Sequence, residues 1–325
     1  MPVQHKGLKV QSSSSVASSA QVVWQQEYGS KAEDVMATAQ SGTVIPSGRT
    51  LALDNTEDGK ILLTVPLTGA AGNALVAIKD SEGTVLWSFH IWVSDALDVP
   101  CNPSEGGQYT LMDRNLGATS VNDRSMTTEE LIRNSFGLFY QWGRKDPFLG
   151  SSSIDNSIPA LSTGLWTSTS EKVSQDATQK NPMSFYTGNG YWTKNHLPAE
   201  SWDVNKTFYD PCPVGWKVPK GGDAGVWNIP AFENGIWNPQ NKGILVTVDT
   251  LGYEIWYPAA GELYGYDGSL GLVGAEGYYW AYSVPADNTV DADRLVFSQY
   301  NGSLTLNPFW YGDRPNAYPV RCCKE

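Results

Sequence analysis

Histidine is nearly absent from this chain: three residues in 325, at His5, His90 and His196. None has a second histidine or a cysteine at ligand spacing, which argues against zinc chemistry. The signatures of nucleophilic, nucleotide and metalloprotease chemistry (GxSxG, the P-loop, HExxH) are missing as well. No run of about 18 apolar residues exists to cross a membrane as a helix. Residues 1–20, MPVQHKGLKVQSSSSVASSA, lack the apolar stretch of a signal peptide. Basic side chains are outnumbered, 22 against 34 acidic, and the formal charge of -12 repels nucleic acid and anionic lipid. Charged residues are only 17%, whereas glycine (32) and tryptophan (13) are plentiful. That balance predicts a loop-rich β architecture carrying large aromatic side chains. The length predicts two domains.

Cysteine is scarce too, but its placement is informative. Two of the four stand side by side near the end, Cys322 and Cys323, while Cys101 and Cys212 lie in proline-flanked loops. Adjacent cysteines rarely bond each other, because the small ring strains the peptide. An even count without CxxC spacing fits disulfides better than metal. Two bridges are therefore expected, closing loops worth at most about 4–5 kcal/mol each in the chain-entropy model. Such bonds persist in oxidising compartments, so an extracellular location is expected.

Residues 1–20 are Ser-rich and read as a flexible segment. From residue 21 short strand-like runs recur, at 43–45 (TVI), 50–53 (TLAL) and 61–66 (ILLTVP). The clearest hairpin joins Ala74–Lys79 to Thr84–Val93 through Asp80-Ser81-Glu82-Gly83, whose glycine can take positive φ. In its second strand Val85, Trp87, Phe89, Ile91 and Val93 share one face and Leu86, His90 and Trp92 the other, so burial on both sides is expected. Residues 21–98 read as an immunoglobulin-like β-sandwich. The texture then turns to Pro, Gly and Asp, and residues 99–325 form a second, α+β domain. There Thr127-Thr128-Glu129-Glu130 reads as a capping box opening a helix, with Gly137 to stop it. From 146 to 243 little periodicity is visible.

Five ordered strings, LMDRNLGATS (111–120), FGLFYQWGRKDPF (136–148), YDPCPVGWKVP (209–219), GYYWAYSV (277–284) and YPVRCCKE (318–325), resemble the Fibrobacter succinogenes major paralogous domain family. That family is abundant in surface proteins of gut Bacteroidetes. The resemblance covers roughly 105–325 and implies a C-type-lectin-like fold. The hairpin at 72–95 also looks like the segment preceding this domain in fimbrillin-like proteins. In the family the CPxGW cysteine commonly pairs with that of the terminal VRC motif, which implies Cys212–Cys322. Cys323 stands where the family usually has an apolar residue; pairing it with Cys101 follows as the remaining combination.

For function, Asp113-Arg114-Asn115 and Arg144-Lys145-Asp146 read as hydrogen-bonded structural knots or as pocket walls. Carboxylates are plentiful (Glu254, Glu262, Asp267, Glu276), and a glycosidase needs two at a set separation, so a carbohydrate-active hydrolase is the enzymatic alternative. Asp287–Asp293 offers oxygens but lacks EF-hand spacing. No catalytic residue, metal or cofactor is assigned. The irregular middle carries Trp166, Trp192, Trp202, Trp227 and Trp237 among Asn, Gly, Ser and Thr. Aromatic faces beside amides and hydroxyls suit a sugar ring, and Trp192, Trp202 and Trp237 are the expected ligand platforms. The leading expectation is a non-enzymatic extracellular adhesin, by resemblance part of a fimbria or surface assembly, joined to its neighbours by donor-strand addition and binding glycan or a host surface protein. YPVRCCKE, expected to be held by disulfides, cannot be donated, which predicts a tip subunit. A structural surface module without a small ligand is the third alternative.

Overall fold

The computed structural model describes residues 17–27, 37–38, 50–52, 63–64, 71–96, 98–101, 109–121, 127–155, 166–195, 201–229, 232, 234–247, 253–287 and 290–325. His5, His196, most of the strand-like runs before residue 66 and residues 1–16 of the Ser-rich segment lie outside them. The protein is mainly β, with several sheets. It divides into two compact units, 1–95 with 176–182, and 96–175 with 183–325.

The first unit is built on an antiparallel sheet of β1 (Ser19–Glu27), β2 (Thr50–Ala52), β3 (Gly72–Lys79) and β4 (Val85–Val93), in the order β2-β1-β3-β4. A separate two-residue pairing joins 37–38 to 63–64. The expected hairpin forms: Gly83 has φ 82, and Asp80 Oδ1 accepts from the backbone N–H of Glu82 and Thr84. The side chain thus closes the turn that glycine permits. Burial falls differently from expectation. The strand buried along its length is β3, which has a neighbour on either side, whereas β4 is half-buried at the sheet edge. Ala20, Val22, Ala74, Val76 and Ile78 form the core, with Phe89 and Ile91 packed on it.

The second unit opens with β5 (Asp98–Cys101) and β6 (Tyr109–Met112), followed by the helix α1 (Glu129–Asn134). Thr128 caps α1 as its sequence predicts, its hydroxyl accepting from Leu131 N–H, and Glu129 and Glu130 occupy the first turn. Later strands are β7 (Trp216–Lys217), β8 (Ile236–Asn238), β9 (Gly243–Thr247), β10 (Glu254–Pro258), β11 (Glu262–Leu263), β12 (Glu276–Trp280), β13 (Asp291–Tyr300), β14 (Ser303–Asp313), β15 (Ala317–Tyr318) and β16 (Cys323–Lys324). They assemble as small sheets: β7-β16-β6-β5, β8-β9-β10, β12-β13-β14, and one joining β11 and β15. The main core lies between β9, β10 and the inner face of β12–β14, where Trp227, Phe232, Ile244, Tyr257, Tyr279 and Phe297 meet.

Cys212 and Cys322 are bonded, closing a separation of 110 residues. The second expected bridge, Cys101–Cys323, is not formed: Cys323 is a buried free thiol. Strand order gives the reason. Both β5 and β16 flank β6, so their backbones lie two inter-strand spacings apart, roughly 10 Å. Cys323 faces Leu111, which faces Val99, and Cys101 lies two residues further along. A disulfide spans at most about 7 Å between Cα atoms. Burial pushes the Cys323 thiol up to about 12, which removes its nucleophilic form at neutral pH. Non-reducing peptide mapping is expected to recover Cys212 linked to Cys322, and Cys323 as a thiol that alkylates near neutral pH only after unfolding. A Cys101–Cys323 peptide would contradict the strand order.

Candidate functional site on the outer face of the β12–β14 sheet

The tryptophans expected to face ligand are mostly interior. Trp192 is 1% exposed, stacks on Tyr186 at 5.5 Å, and donates its indole N–H to the Trp142 carbonyl at 3.1 Å. Trp202 is 3% exposed and donates to the Tyr209 carbonyl at 2.8 Å. Trp227 is buried and Trp166 half-buried. Trp237 is half-buried, its ring on Phe297 at 6.5 Å. Trp192 and Trp202 therefore present no free ring face; they fill the irregular middle, and loop carbonyls satisfy their indoles as a strand ladder would not.

The charged triplets are structural knots. Arg114 makes a two-pronged pair with Asp113 at 2.8 Å. Buried Arg144 donates to Gln141 Oε1 and the Ser184 carbonyl, with Phe148 and Tyr186 rings on it at 5.2 and 5.1 Å, and Lys145 pairs with Asp146 at 2.6 Å. In the acidic stretch, Asp291 is buried and Asp293 half-buried, while residues 288 and 289 lie outside the described set.

The exposed aromatic chemistry lies elsewhere, on β13 and β14. Register fixes two faces. Tyr279, Leu295 and Phe297 point into the core, with Leu304 and Leu306 packed against it. Glu276 and Tyr278 on β12, Arg294, Val296, Ser298 and Tyr300 on β13, and Thr305, Asn307 and Trp310 on β14 share the other face. Along it Tyr300 is 50% and Trp310 48% exposed. Between these rings run Ser298, Thr305 and Asn307, half-buried or exposed hydroxyls and an amide. Ladder alternation breaks at Leu295, which opposes both Pro308 and Phe309, a bulge whose Phe309 N–H is taken by Asn307 Oδ1 at 3.0 Å. Phe309, Trp310 and Tyr311 are consequently all exposed, and the Trp310 and Tyr311 rings lie nearly parallel, 5.9 Å apart.

At the inner margin of this face sits a charged cluster. The Arg294 guanidinium lies 4.8 Å from the Tyr278 ring and 5.1 Å from that of Tyr318, donates to the Tyr318 hydroxyl, and packs closely over Gly312, where an added Cβ would sit 3.0 Å from Arg294 Cζ. Tyr278 and Tyr318 stack at 4.9 Å. Tyr278 and Tyr300 both donate to the Glu276 carboxylate, which fixes the Tyr300 ring and pushes its phenol up to about 12. Burial pushes the Glu262 carboxyl up to about 7; Arg294 and a Tyr318 hydrogen bond pull it back, and Glu276 and Asp313 push the same way as burial. Stacking surfaces, hydroxyl and amide groups and a guanidinium on one accessible face are suited to a polyhydroxylated ligand. A signal for this face was present in the sequence: Leu304 and Leu306 alternate with Ser303, Thr305 and Asn307 until Pro308 interrupts.

Trp192→Ala and Trp202→Ala should each lose about 3–5 kcal/mol in denaturant melts, as buried indoles do, and Trp310→Ala should lose less than about 1 kcal/mol. Equal losses would dissolve the distinction between core and face. For Glu262, the folded protein keeps a proton that the unfolded chain releases, so stability falls as pH rises from 4.5 through about 7. Glu262→Gln should therefore match the parent near the acid end and exceed it above that window by up to about 3 kcal/mol; thermal melts across pH check this. Comparison with family models, curated proteins and solved structures finds no match, so the reading of this face rests on its own chemistry.

Proposed function

We propose that this protein is a non-enzymatic extracellular adhesin: an immunoglobulin-like sandwich followed by a C-type-lectin-like domain that contacts glycan through the outer face of β12–β14. The observation that carries the reading is the pair of exposed rings, Trp310 and Tyr300, bracketing a row of hydroxyl and amide groups on a rigid sheet. Sugars bind by stacking a C–H face on an aromatic ring while polar groups take the edge. The family resemblance implies a fimbrial or surface assembly joined by strand addition, and within it we propose a tip position that accepts a strand from the subunit below. Residues 321–324 do not fit a donated strand: Arg321 is buried, Cys322 is bonded, and β16 is paired on both sides.

A hydrolase reading has one observation in its favour. Glu262, with its carboxyl near 7, lies within reach of the charge on Glu276, and an acid poised near working pH beside a second carboxylate is what glycoside hydrolysis requires. Against it, Glu262 is only 7% exposed, and Glu276 is occupied by two tyrosine hydroxyls.

A glycan array with parallel reducing-sugar assays separates the readings. Binding without release is expected, with Trp310→Ala lowering affinity about tenfold, or about 1.4 kcal/mol. Release abolished by Glu262→Gln would select the hydrolase, and an array blank for folded protein would leave a structural surface module.

A further inference from the structure

The dimensions of the proposed glycan face bear on its ligand. Tyr300 and Arg294, the cross-strand partner of Trp310, are six residues apart on β13, about 20 Å at strand spacing. That is several times the width of one pyranose ring, so no single sugar can stack on both Trp310 and Tyr300. The two platforms are held on one face of one sheet, and Tyr300 is further fixed by its bond to Glu276. Their separation is therefore built in.

The ground between them also selects. Val296, Ser298, Thr305 and Asn307 carry no charge, and the strip offers donors and acceptors for hydroxyl groups along its length. Glu276 lies across from Ser298 at its margin, and the chain as a whole carries -12. That field disfavours uronic or sulfated chains, the single Arg294 being held against two tyrosine rings and beside Glu262.

We infer that the face takes an extended, neutral oligosaccharide that lies along β13 and β14 and bridges Trp310 and Tyr300, in preference to a terminal single sugar. The inference rests on the glycan reading. Once one end stacks, the other ring is reached intramolecularly, so affinity grows with chain length until both are covered and then levels.

Calorimetric titration of the intact protein with cello- and chito-oligosaccharides, from monosaccharide to hexaose, tests it. The expected result is weak binding of the monosaccharide, a rise of a hundredfold or more along the series, and a plateau. Trp310→Ala and Tyr300→Ala should each flatten the rise, while Tyr300→Phe, which keeps the ring and loses the Glu276 bond, should retain it. Unchanged melting temperatures would show that the variants fold. Equal affinity for monosaccharide and hexaose, or tighter binding of oligogalacturonates, would overturn the inference and leave the glycan reading standing. Length dependence that survives in both alanine variants would overturn the location. Absence of binding to these series and to a glycan array would overturn both inference and reading.

Discussion

The second unit depends on how Arg321 is held. A guanidinium at 1% exposure is costly unless each donor is met, and among the described residues no carboxylate meets it. Nε and Nη2 both donate to Asn115 Oδ1, at 3.0 and 2.7 Å, Nη2 also to the Trp256 carbonyl at 2.7 Å, and the Tyr257 ring lies 4.5 Å from Cζ. Asn115 in turn donates to the Phe136 carbonyl and to Tyr279, whose hydroxyl donates to the Pro258 carbonyl. One side chain thus fastens the end of the chain to the loop after β6, to the segment after α1, to β10 and to β12. The next residue, Cys322, adds the covalent tie to Cys212. Directional bonds of this kind fix register where the sheets are too small to fix it themselves.

The sequence strings that carried the family resemblance supply parts of this knot. LMDRN supplies Asn115, FGLFYQWGRKDPF supplies the Phe136 carbonyl, YDPCPVGWKVP supplies Cys212, GYYWAYSV supplies Tyr279, and YPVRCCKE supplies Arg321 and Cys322. The exposed face comes from the stretch between the last two strings, residues 294–311. The motifs therefore speak for how the unit is held together, and most of the exposed chemistry lies between them.

Local features were legible. The Asp80–Gly83 turn, the Thr128 cap and the alternation along β14 are set by neighbours in sequence, where steric and hydrogen-bonding rules apply directly. What failed was inference across distance. Absence of periodicity around Trp192 and Trp202 suggested exposure, but an indole needs only one acceptor to be buried, and irregular backbone supplies carbonyls in many directions. Whether Cys323 can reach Cys101 depends on which strands flank β6, which no spacing along the chain reveals. The immediate surroundings of Glu262 were invisible for the same reason: Arg294, Tyr318 and Glu276 reach it from three other strands.

The bulge at Pro308–Phe309 has a consequence for association. Among the described residues β14 is an edge strand of 11 residues, long enough to template pairing with another chain. Pro308 has no N–H to offer, and Phe309 spends its own on Asn307, so the free row of donors is interrupted at mid-strand. Either side of the break is left too short to pair well. The same device that turns three aromatic rings outward thereby works against strand-to-strand pairing at this edge.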